Sequence, residues 1–513
     1  MTSFLDKLLT YYELDYSSYL KNKEKSLIDI PKFSRFPNLK EVTNYIKDSI
    51  KQNKKILIYG DYDCDGIMST SIIYLTLMYG SEYRPGFYIP NREIDGYGLT
   101  INNIDKFKKL GYDIIILVDN GISLIEQIDY ANSLGIECVI LDHHNVGEKL
   151  PNAKYIVHPD LVNFGKYNIS AGVVSFYFSW AYLEYINPYL LSLGAISTIS
   201  DVMILQEYNS LIVKEGLKAI NKHKFSQIFD LLGNTKENLN ESDLSLLIVP
   251  KINSICRVLN DDSRFKIVKY FIDENAHFRI LPWIFQINDK RKELSHAKTE
   301  DVDFTKPAIF YINPENEGIS GLIAANLMTQ SLKPTFVLCP ERFHPNILKG
   351  SARSYNNFNV AESLNKASEV LITHGGHECA GGFSLDIKDF EKFQNIIYEI
   401  AKNIPPYVKQ YKYIELEYEE INLKNYEIYM SFSPFGQGHE KPLFLLKDFV
   451  ISNFKKTNDG KHLLFKNNLY SIAYFSYDKE IEKYDIASLL CEFSLNEFRG
   501  SKSVQLKVID FVK

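Results

Sequence analysis

Three carboxylates alternate with other residues directly after a short apolar run, at Asp61, Asp63 and Asp65. If this segment is extended, the three side chains project from one face and repel one another unless a cation neutralises them. An EF-hand calcium loop has similar spacing, but it requires a glutamate at its twelfth position, where this chain has Ile72. A solvated acidic turn is the alternative that this segment alone leaves open.

Acids and histidines also follow three later apolar segments. Residues 119–121 (Asp-Asn-Gly) follow the run DIIILV, residues 142–144 (Asp-His-His) follow ECVIL, and Asp201 follows GAISTIS. Each of them alone has a structural explanation, such as a tight turn at the Asn-Gly pair. If the runs are neighbouring strands of a parallel sheet, however, their carboxyl ends lie at one edge, where ligands bind in such sheets.

This combination of residue types indicates a metal centre. Mixed carboxylate and imidazole ligands suit a divalent transition metal such as Mn²⁺ better than Ca²⁺, and there are enough of them for two ions. Two ions close together favour in-line displacement at phosphorus, because they activate a water molecule and neutralise charge on the attacked phosphate. The residues therefore predict metal-dependent hydrolysis of a phosphoester or phosphoanhydride.

The elements that must position these residues are strands alternating with helices. Apolar runs at 55–59, 84–89, 113–118 and 137–141 predict strands, with helical segments between them. Their continuous apolar character is typical of a parallel sheet that is covered on both faces. The fold class predicted for the first domain is therefore α/β.

The rest of the chain divides into further parts. Helical patterns fill residues 211–300, strands return at 308–312 and 335–339 on either side of a helix, and short alternating runs in the last hundred residues predict a small β-barrel. We therefore expect a second α/β domain, joined to the first by a helical connector and followed by the barrel. The predicted boundaries are an N-terminal preamble at 1–50, the catalytic domain at 51–210, the connector at 211–300, the second α/β domain at 301–405 and the barrel at 406–513.

The composition is ordinary for a globular chain. The 513 residues allow three or four domains at about 100–200 residues each. A hydrophobic content of 45% with 24% charged residues excludes a disordered or fibrous protein. Six cysteines scattered singly indicate neither a disulfide framework nor a cysteine zinc site, and the N-terminus does not resemble a signal peptide. We expect a cytoplasmic protein with no membrane span.

The formal net charge of -6 argues at first against a nucleic-acid partner, because such partners usually require a basic surface. Two bound divalent ions would, however, add about four positive charges at the acidic cluster. The metal-loaded cleft can therefore attract phosphate even though the whole chain is acidic.

The acidic and histidine motifs, taken in order, resemble those of the DHH phosphoesterase superfamily. The matching segments are 61–66, 119–121, 142–144 and Asp201. The resemblance implies that the metal centre holds Mn²⁺ or Mg²⁺, with two ions. The implied metal ligands are Asp61, Asp63, Asp65, Asp119, His143 and Asp201. The implied catalytic group is Asp142, His143 and His144, in which Asp142 supports the cluster and His144 lies near the scissile phosphate.

The second α/β domain resembles the substrate-binding domain that accompanies DHH domains. The matching segments are 350–353 (Gly-Ser-Ala-Arg) and 374–377 (His-Gly-Gly-His), which runs on through a glycine-rich stretch to Gly382. We expect this stretch to be a loop whose backbone N–H groups bind phosphate, together with an arginine. The residues implied in substrate binding are Arg257, Ser351, Arg353, His374, Gly375, Gly376 and His377.

Within the superfamily the chain is most similar to the RecJ family of exonucleases. The supporting segments are 250–253 with Arg257, 288–291, and 434–436, which resembles the start of the OB-fold domain of that family. The resemblance covers roughly residues 55–513. It implies a single-stranded-DNA-specific 5′-to-3′ exonuclease that releases 5′-mononucleotides in DNA repair and recombination.

Two other functions remain open at this stage. A DHH phosphodiesterase acting on short oligoribonucleotides or cyclic dinucleotides has the same metal motifs, although such enzymes usually end after the second domain. A non-catalytic DNA-binding relative would have lost several of the acids, all of which are present here. The expected partner is single-stranded DNA, with a helicase or a single-strand-binding protein as candidate protein partners, no membrane contact, and a monomeric state.

Overall fold

In the part of the chain that the structure describes, the strands form three sheets, which helices connect and cover. The computed structural model describes residues 3–92, 94–96, 98–233, 236–296, 299–313, 317–405, 407–498 and 501–512. Within these residues no helix combines the length and the apolar character that crossing a membrane requires.

The first sheet is parallel throughout and has the strand order β2-β1-β3-β4-β5. Its strands are β1 (Ile56–Tyr59), β2 (Gly86–Tyr88), β3 (Ile114–Val118), β4 (Glu137–Leu141) and β5 (Tyr155–Val157). The apolar runs predicted β1 to β4, while the short β5 was not predicted. Because all five strands run in one direction, their carboxyl ends lie at one edge.

Successive residues of the central strands face opposite helical layers, which explains their continuous apolar character. Ile56 and Ile58 of β1 pack in one buried cluster with α3 (Leu39–Lys51) and α7 (Ala171–Leu183). Leu57 and Tyr59 pack in another cluster with α5 and α6. The other helices before the connector are α1 (Phe4–Tyr11), α2 (Tyr16–Glu24), α4 (Cys64–Ser81), α5 (Ile101–Lys109), α6 (Ile125–Ser133) and α8 (Pro188–Ser200).

A group of helices joins the first sheet to the second. Their buried residues form one cluster with the face of α4 that points away from the first sheet. The helices of this connector are α9 (Glu207–His223), α10 (Ser226–Phe229), α11 (Glu241–Asp243), α12 (Val249–Val258), α13 (Phe265–Ile272) and α14 (His277–Leu294). A π-helical turn at Leu244–Ile248 leads directly into α12.

The second sheet is mixed, with the order β6-β7-β8-β10-β9. Only its first pair, β6 with β7, is parallel. Its strands are β6 (Ile309–Ile312), β7 (Thr335–Pro340), β8 (Ile347–Arg353), β9 (Thr373–Gly376) and β10 (Ala380–Asp386). Its helices are α15 (Ser320–Ser331), α16 (Val360–Lys366) and α17 (Phe390–Ala401).

The third sheet has seven strands and lies in the C-terminal part, where the barrel was predicted. Its strands follow the order β11-β12-β16-β17-β15-β14-β13, and the helix α18 (Leu423–Met430) precedes β12. Apolar runs predicted most of these strands, but β16 was missed. The strands are β11 (Tyr413–Leu416), β12 (Leu443–Val450), β13 (Lys455–Lys456), β14 (His462–Lys466), β15 (Tyr470–Phe475), β16 (Ile486–Phe498) and β17 (Ser501–Val512).

The helices of the N-terminal preamble pack in two different hydrophobic cores. Phe4, Leu8 and Leu9 of α1 are buried in the hydrophobic core of the third sheet, some 400 residues away in sequence. Leu39 and Ile46 of α3 belong instead to the core of the first sheet. The predicted domain boundaries remain a prediction, and the first fifty residues link the N-terminal and C-terminal parts of the fold.

Candidate active site

The first acids lie at the junction between β1 and α4. Asp61 follows β1 and is 5% exposed, and Asp63 is the N-cap of α4, where its side chain accepts a hydrogen bond from the Gly66 N–H at 3.1 Å. The segment is not extended throughout, because the helix begins at Cys64. Gly66 is required in this first turn, since a Cβ there would lie 2.6 Å from backbone atoms of Asp61.

Asp65 lies inside the first turn of α4 and is 1% exposed. Its carboxylate accepts hydrogen bonds from the N–H groups of Ala171 and Gly172, at 3.0 and 2.8 Å, and from the hydroxyl of Ser197 at 2.5 Å. The first two donors belong to the start of α7 and the third to α8. Asp65 therefore fixes the start of α7 and the last turn of α8 near the site, besides facing the cluster itself.

The ends of β3 and β4 are joined by Asp142. This fully buried carboxylate accepts a hydrogen bond from the N–H of Ile122, in the turn after β3, at 2.9 Å. It also accepts from the backbone N–H of His143 at 2.7 Å and contacts Nδ1 of His144 at 2.8 Å. Asp119, at the end of β3, adopts a left-handed backbone conformation with φ of 63°. These contacts hold Asp119 and both histidines at one edge of the sheet.

His143 lies at the centre of the cluster. Its Nε2 atom is 3.3 Å from Asp119 Oδ1, 3.6 Å from Asp201 Oδ2 and 3.7 Å from Asp65 Oδ2. Asp201 is the C-cap of α8, and 30% of its side chain is exposed. The structure therefore brings together every acid and histidine that the sequence predicted for the metal centre.

The ligand atoms fall into three groups, in each of which they lie within 4.8 Å of one another among the described residues. Two of the groups share Asp119, and two share His143. The groups are Asp61, Asp63 and Asp119; Asp65, His143 and Asp201; and Asp119, His143 and His144.

The carboxylates of the cluster disfavour one another's ionisation. Burial and then the charge of Asp63 raise the pKa of Asp61 well above its ordinary value. Burial and then Asp65 raise the pKa of Asp119 in the same way. Burial and then Asp65 also raise the pKa of Asp201, to about 8. A cation at the cluster would remove this penalty.

Asp142 and His144 show the opposite behaviour. Burial opposes the ionisation of Asp142, but the hydrogen bond and the charge of His144 lower the pKa of that carboxyl to about 2. Burial also opposes charge on His144, but the hydrogen bond and charge of Asp142 outweigh it and raise the imidazole pKa above its ordinary value. The pair is therefore an ionised carboxylate beside an imidazole that favours its protonated form.

The donor set fits a divalent metal. Asp61 Oδ1 and His143 Nδ1 are buried and have no hydrogen-bond partner among the described residues. Three carboxylate oxygens converge on Nε2 of His143, which is repulsive for a neutral imidazole unless a proton or a metal lies between them. Carboxylate and imidazole ligands in this number match Mn²⁺.

Arginines from three parts of the chain interact electrostatically with one another, and two of them, Arg92 and Arg257, also interact with acids of this cluster. Burial lowers the pKa of Arg257 in α12 to about 10, with further shifts from the charges of Arg92, Asp63 and Arg353. Burial and then Arg92 lower the pKa of Arg353 at the end of β8. Arg257 thus lies between the acidic cluster and the second sheet, and the three guanidiniums form a positive region beside the metal centre.

Ser351 and Arg353 share one face of β8 and approach the start of α15. A Cβ on Gly321 would lie 2.8 Å from a guanidinium nitrogen of Arg353 and 3.7 Å from the Ser351 hydroxyl. Gly321 therefore leaves the room that the Arg353 side chain occupies. The chain also places Gly318 against the backbone of Arg257, where a Cβ would meet the carbonyl oxygen at 2.3 Å.

The glycine-rich segment of the second domain is a hairpin and not the expected loop. Residues 374–376 lie in the exposed edge strand β9, and Gly375 and Gly376 pair with Gly382 and Gly381 of β10. His377 lies in the turn, and its N–H donates to the Ala380 carbonyl at 2.7 Å. The hairpin contacts other residues of the second domain, including Asn365, whose Oδ1 is 3.0 Å from Nε2 of His374.

Two residues beside the site were not predicted from the sequence. Arg92 follows β2, so the strand-end rule that found the acids also applied to it. Asn253 of α12 accepts a hydrogen bond from the N–H of Cys64 at 2.8 Å and so fixes the start of α4 to the connector. That contact joins residues 189 positions apart, and no local pattern indicates it.

Two family models match separate parts of the chain. Residues 55–198 match the model of the DHH family N-terminal domain, and residues 414–510 match the model of the RecJ OB domain. The two matches coincide with the first sheet and the third sheet.

Several curated proteins named single-stranded-DNA-specific exonuclease RecJ are similar over nearly all of this chain. The protein of Bacillus subtilis is 29% identical over 92% of the chain, and that of Thermus thermophilus is 27% identical over 93%. That of Escherichia coli is 25% identical over 95%. The aligned part is 63% of the Bacillus protein, 71% of the Thermus protein and 92% of the Escherichia protein.

Solved structures show the same fold. A crystal structure of RecJ from Thermus thermophilus in complex with Mn²⁺ superposes with a TM-score of 0.81 at 22% identity, covering 99% of this chain and 78% of that one. A crystal structure of an exonuclease RecJ bound to manganese covers 72% of this chain and 95% of its own, with a TM-score of 0.60 and 26% identity.

Proposed function

We propose that this chain belongs to the RecJ family within the DHH superfamily and that it is a metal-dependent exonuclease specific for single-stranded DNA. It degrades from the 5′ end and releases 5′-mononucleotides in DNA repair and recombination. The observation that carries this proposal is the convergence of three metal-capable groups at one sheet edge, in a chain whose residues 414–510 match the model of the RecJ OB domain.

The cofactor of this proposal is Mn²⁺ or Mg²⁺, with two ions. Asp61, Asp63 and Asp119 hold one ion, while Asp65, His143 and Asp201 hold the other. When bound, the ions would activate a water molecule and neutralise charge on the attacked phosphate. The raised pKa values of Asp61, Asp119 and Asp201 support this assignment, since ionised carboxylates in these positions need a counter-charge.

Asp142 and His144 supply the proton chemistry. The contact of Asp142 with Nδ1 of His144 at 2.8 Å sets the orientation of that imidazole. The raised pKa of His144 favours a protonated ring, which stabilises charge on the scissile phosphate and donates a proton from Nε2 to the leaving oxygen. Asp142 orients the ring and stabilises its positive charge.

The positive region binds the substrate phosphates. Arg257, Arg353 and Arg92 present guanidiniums, which bind phosphate oxygens bidentately, and Ser351 adds a hydroxyl beside Arg353. The hairpin residues His374, Gly375, Gly376 and His377 extend this surface toward solvent. In the proposed arrangement the C-terminal OB domain binds the single strand further along, as OB folds do through basic and aromatic side chains.

The proposed function also includes protein partners and a cellular location. The protein acts in the cytoplasm as a monomer, and a helicase or a single-strand-binding protein supplies its single strands. All six cysteines are free, as a reducing compartment requires.

A digestion assay with Mn²⁺ tests the proposal. Single-stranded DNA, duplex DNA, short RNA and a cyclic dinucleotide are each incubated with the full chain, with the linear substrates labelled at one end. We expect mononucleotides from single-stranded DNA, released from the 5′ end, and little product from the duplex. Preference for the cyclic dinucleotide, or release that begins at the 3′ end, would contradict the proposal.

A further inference from the structure

The segment between Asp201 and α9, which we call the strap (residues 202–206), has a strained start. Val202 is β-branched and yet has φ of 52°, in the left-handed region that such residues rarely adopt. Its side chain is also 64% exposed, so burial of this residue does not explain the conformation. Strained backbone of this kind persists only where the surrounding structure imposes it.

The C-terminal domain holds the strap. Residues 433–440, which we call the clamp loop, lie just before β12 and contact the strap through the backbone. The N–H of Leu205 donates to the Gln437 carbonyl at 2.8 Å, and Nε2 of Gln206 donates to the Gly438 carbonyl at 2.5 Å. The hydroxyl of Tyr167 in turn donates to Oε1 of Gln206 at 2.9 Å. Gln206 is thus fixed at both ends of its amide.

The clamp loop approaches the strap closely at two of its glycines. A Cβ on Gly438 would lie 2.9 Å from Cγ2 of Ile204, and a Cβ on Gly436 would lie 2.7 Å from Cδ1 of Leu205. Gly438 also has φ of 73°. The loop and the strap therefore pack together along the backbone, at a contact that joins residues more than 230 positions apart.

The N-terminal helices support the clamp loop from its other side. The ring of Tyr12, directly after α1, is stacked on Phe432 at 5.2 Å and on His439 at 4.4 Å between centroids. The Tyr12 hydroxyl donates to the Glu440 carbonyl at 2.9 Å. The first residues of the chain, for which the sequence suggested no role, thus complete a chain of contacts that ends next to Asp201.

We propose that the clamp loop is a positioning element of the metal centre, which sets Asp201 in place for metal binding by holding the strap. The inference rests on the proposed function, because Asp201 is a ligand there. Asp201 needs such support, since it is the least buried acid of its group and stands at a helix end. Groups that orient metal ligands affect metal affinity by about 10–100-fold. The C-terminal domain then contributes to the metal centre as well as to DNA binding.

The test compares Gly438→Ala with Gly460→Ala in the full chain. Gly460 has a similar backbone, with φ of 66°, and lies in the same domain, but a Cβ there has no neighbour within 4 Å. Mn²⁺ binding is measured by titration calorimetry without DNA, and folding by the thermal unfolding midpoint. We expect Gly460→Ala to bind Mn²⁺ like the unchanged chain, and Gly438→Ala to bind one ion about tenfold more weakly.

Gln206→Met is a second test of the proposal in case Gly438→Ala does not fold. It keeps the length of the side chain and removes only its polar contacts. We expect the same tenfold weakening in this variant, with unchanged affinity for single-stranded DNA in the absence of metal. Unchanged Mn²⁺ affinity in the folded variants overturns the positioning role of the clamp loop but leaves the proposed function intact. Absence of Mn²⁺ binding in the unchanged chain instead contradicts the metal centre of the proposed function.

Discussion

The two edges of the first sheet carry the same kind of side chain in opposite electrostatic conditions. At the amino edge, Glu137 begins β4 and contacts Lys54 at 2.7 Å, Lys154 at 3.2 Å and the Tyr45 hydroxyl at 2.6 Å. Burial opposes ionisation of this carboxyl, but these partners lower its pKa to about 2. At the carboxyl edge, Asp119 directly follows β3 and lies among other acids, and its pKa is raised.

The difference separates structural charge from functional charge. The amino edge neutralises its acid with lysines and a tyrosine of the same domain, so the charge contributes to folding. The carboxyl edge gathers acids whose ionisation opposes folding, with buried atoms that lack partners among the described residues. Such an arrangement is retained for a ligand. The predictions below test this contrast, from the largest expected effect to the smallest.

Replacing an acid of the carboxyl edge should abolish catalysis. Asp119→Asn keeps the shape of the side chain and removes a charge that two of the metal-capable groups share. We expect the rate of nucleotide release to fall by at least about 10²–10³-fold, as when one preorganised group that stabilises transition-state charge is lost. Binding of single-stranded DNA, measured by fluorescence anisotropy, should persist.

Asp129→Asn is the matched control, because Asp129 is exposed on α6 of the same domain. It should leave the rate within twofold of the unchanged chain. Near-normal activity in Asp119→Asn would remove Asp119 from the metal centre and with it the functional side of the contrast.

The same variant should be more stable than the unchanged chain when metal is absent. Because the folded-state pKa of Asp119 is raised, its contribution to stability is present at low pH and is lost as the pH rises. Asp119→Asn removes this loss, so its unfolding midpoint in EDTA at pH 8 should be the higher one. Mn²⁺ at about 100 times its dissociation constant should then stabilise the unchanged chain by about 2.7 kcal/mol.

Thermal unfolding with and without Mn²⁺ measures both effects. Asp119→Asn should gain much less from the metal, while Asp129→Asn should behave like the unchanged chain. A lower midpoint for Asp119→Asn in EDTA would mean that the acids at the carboxyl edge stabilise the fold, as Glu137 does at the amino edge.

The arginines beside the carboxyl edge sharpen the contrast further, because they either neutralise the acids or bind substrate. Arg353→Lys keeps the charge and loses the planar fork that binds phosphate at two points. We expect KM for single-stranded DNA to rise about tenfold, equivalent to about 1.4 kcal/mol, with little change in the unfolding midpoint. Steady-state kinetics and thermal unfolding measure the two quantities.

Arg342→Lys is the control for that substitution, since Arg342 is exposed on the same domain. It should change neither quantity. An unchanged KM for Arg353→Lys would mean that only the charge of Arg353 matters, as expected for a counter-ion to the acids.

The sequence predicted the carboxyl edge well because its residues follow long apolar runs in order. Asp119 and Asp142 stand directly after β3 and β4, so recognising these strands was enough to bring the acids together. The start of α4 within the acidic segment was not predicted, because an alternating acidic pattern is also compatible with an N-cap, which is what Asp63 provides. That capping signal was present in the sequence.

Contacts between distant segments could not be predicted in the same way. The burial of Phe4 in the core of the third sheet joins residues some 400 positions apart, and nothing near α1 indicates its partner. The contact of the clamp loop with the strap could not be predicted either, because the sequence around Gly438 indicates only a turn. The hairpin at 374–377 was taken for a loop since consecutive glycines are typical of turns, although here they pair across β9 and β10.

The smallest effect is expected at the amino edge. Glu137→Gln should lower the free energy of unfolding by about 0.5–1 kcal/mol at pH 7, because the ion pairs are partly exposed and solvent screens them. The pKa of Glu137 is about 2 in the fold and about 4.3 when unfolded, so its contribution is present above the unfolded value and is lost as the pH falls toward 2. Urea unfolding between pH 7 and pH 2 should show the two chains converging, with equal nuclease activity at pH 7. A clear loss of activity would mean that both edges serve the reaction and that the contrast between them is wrong.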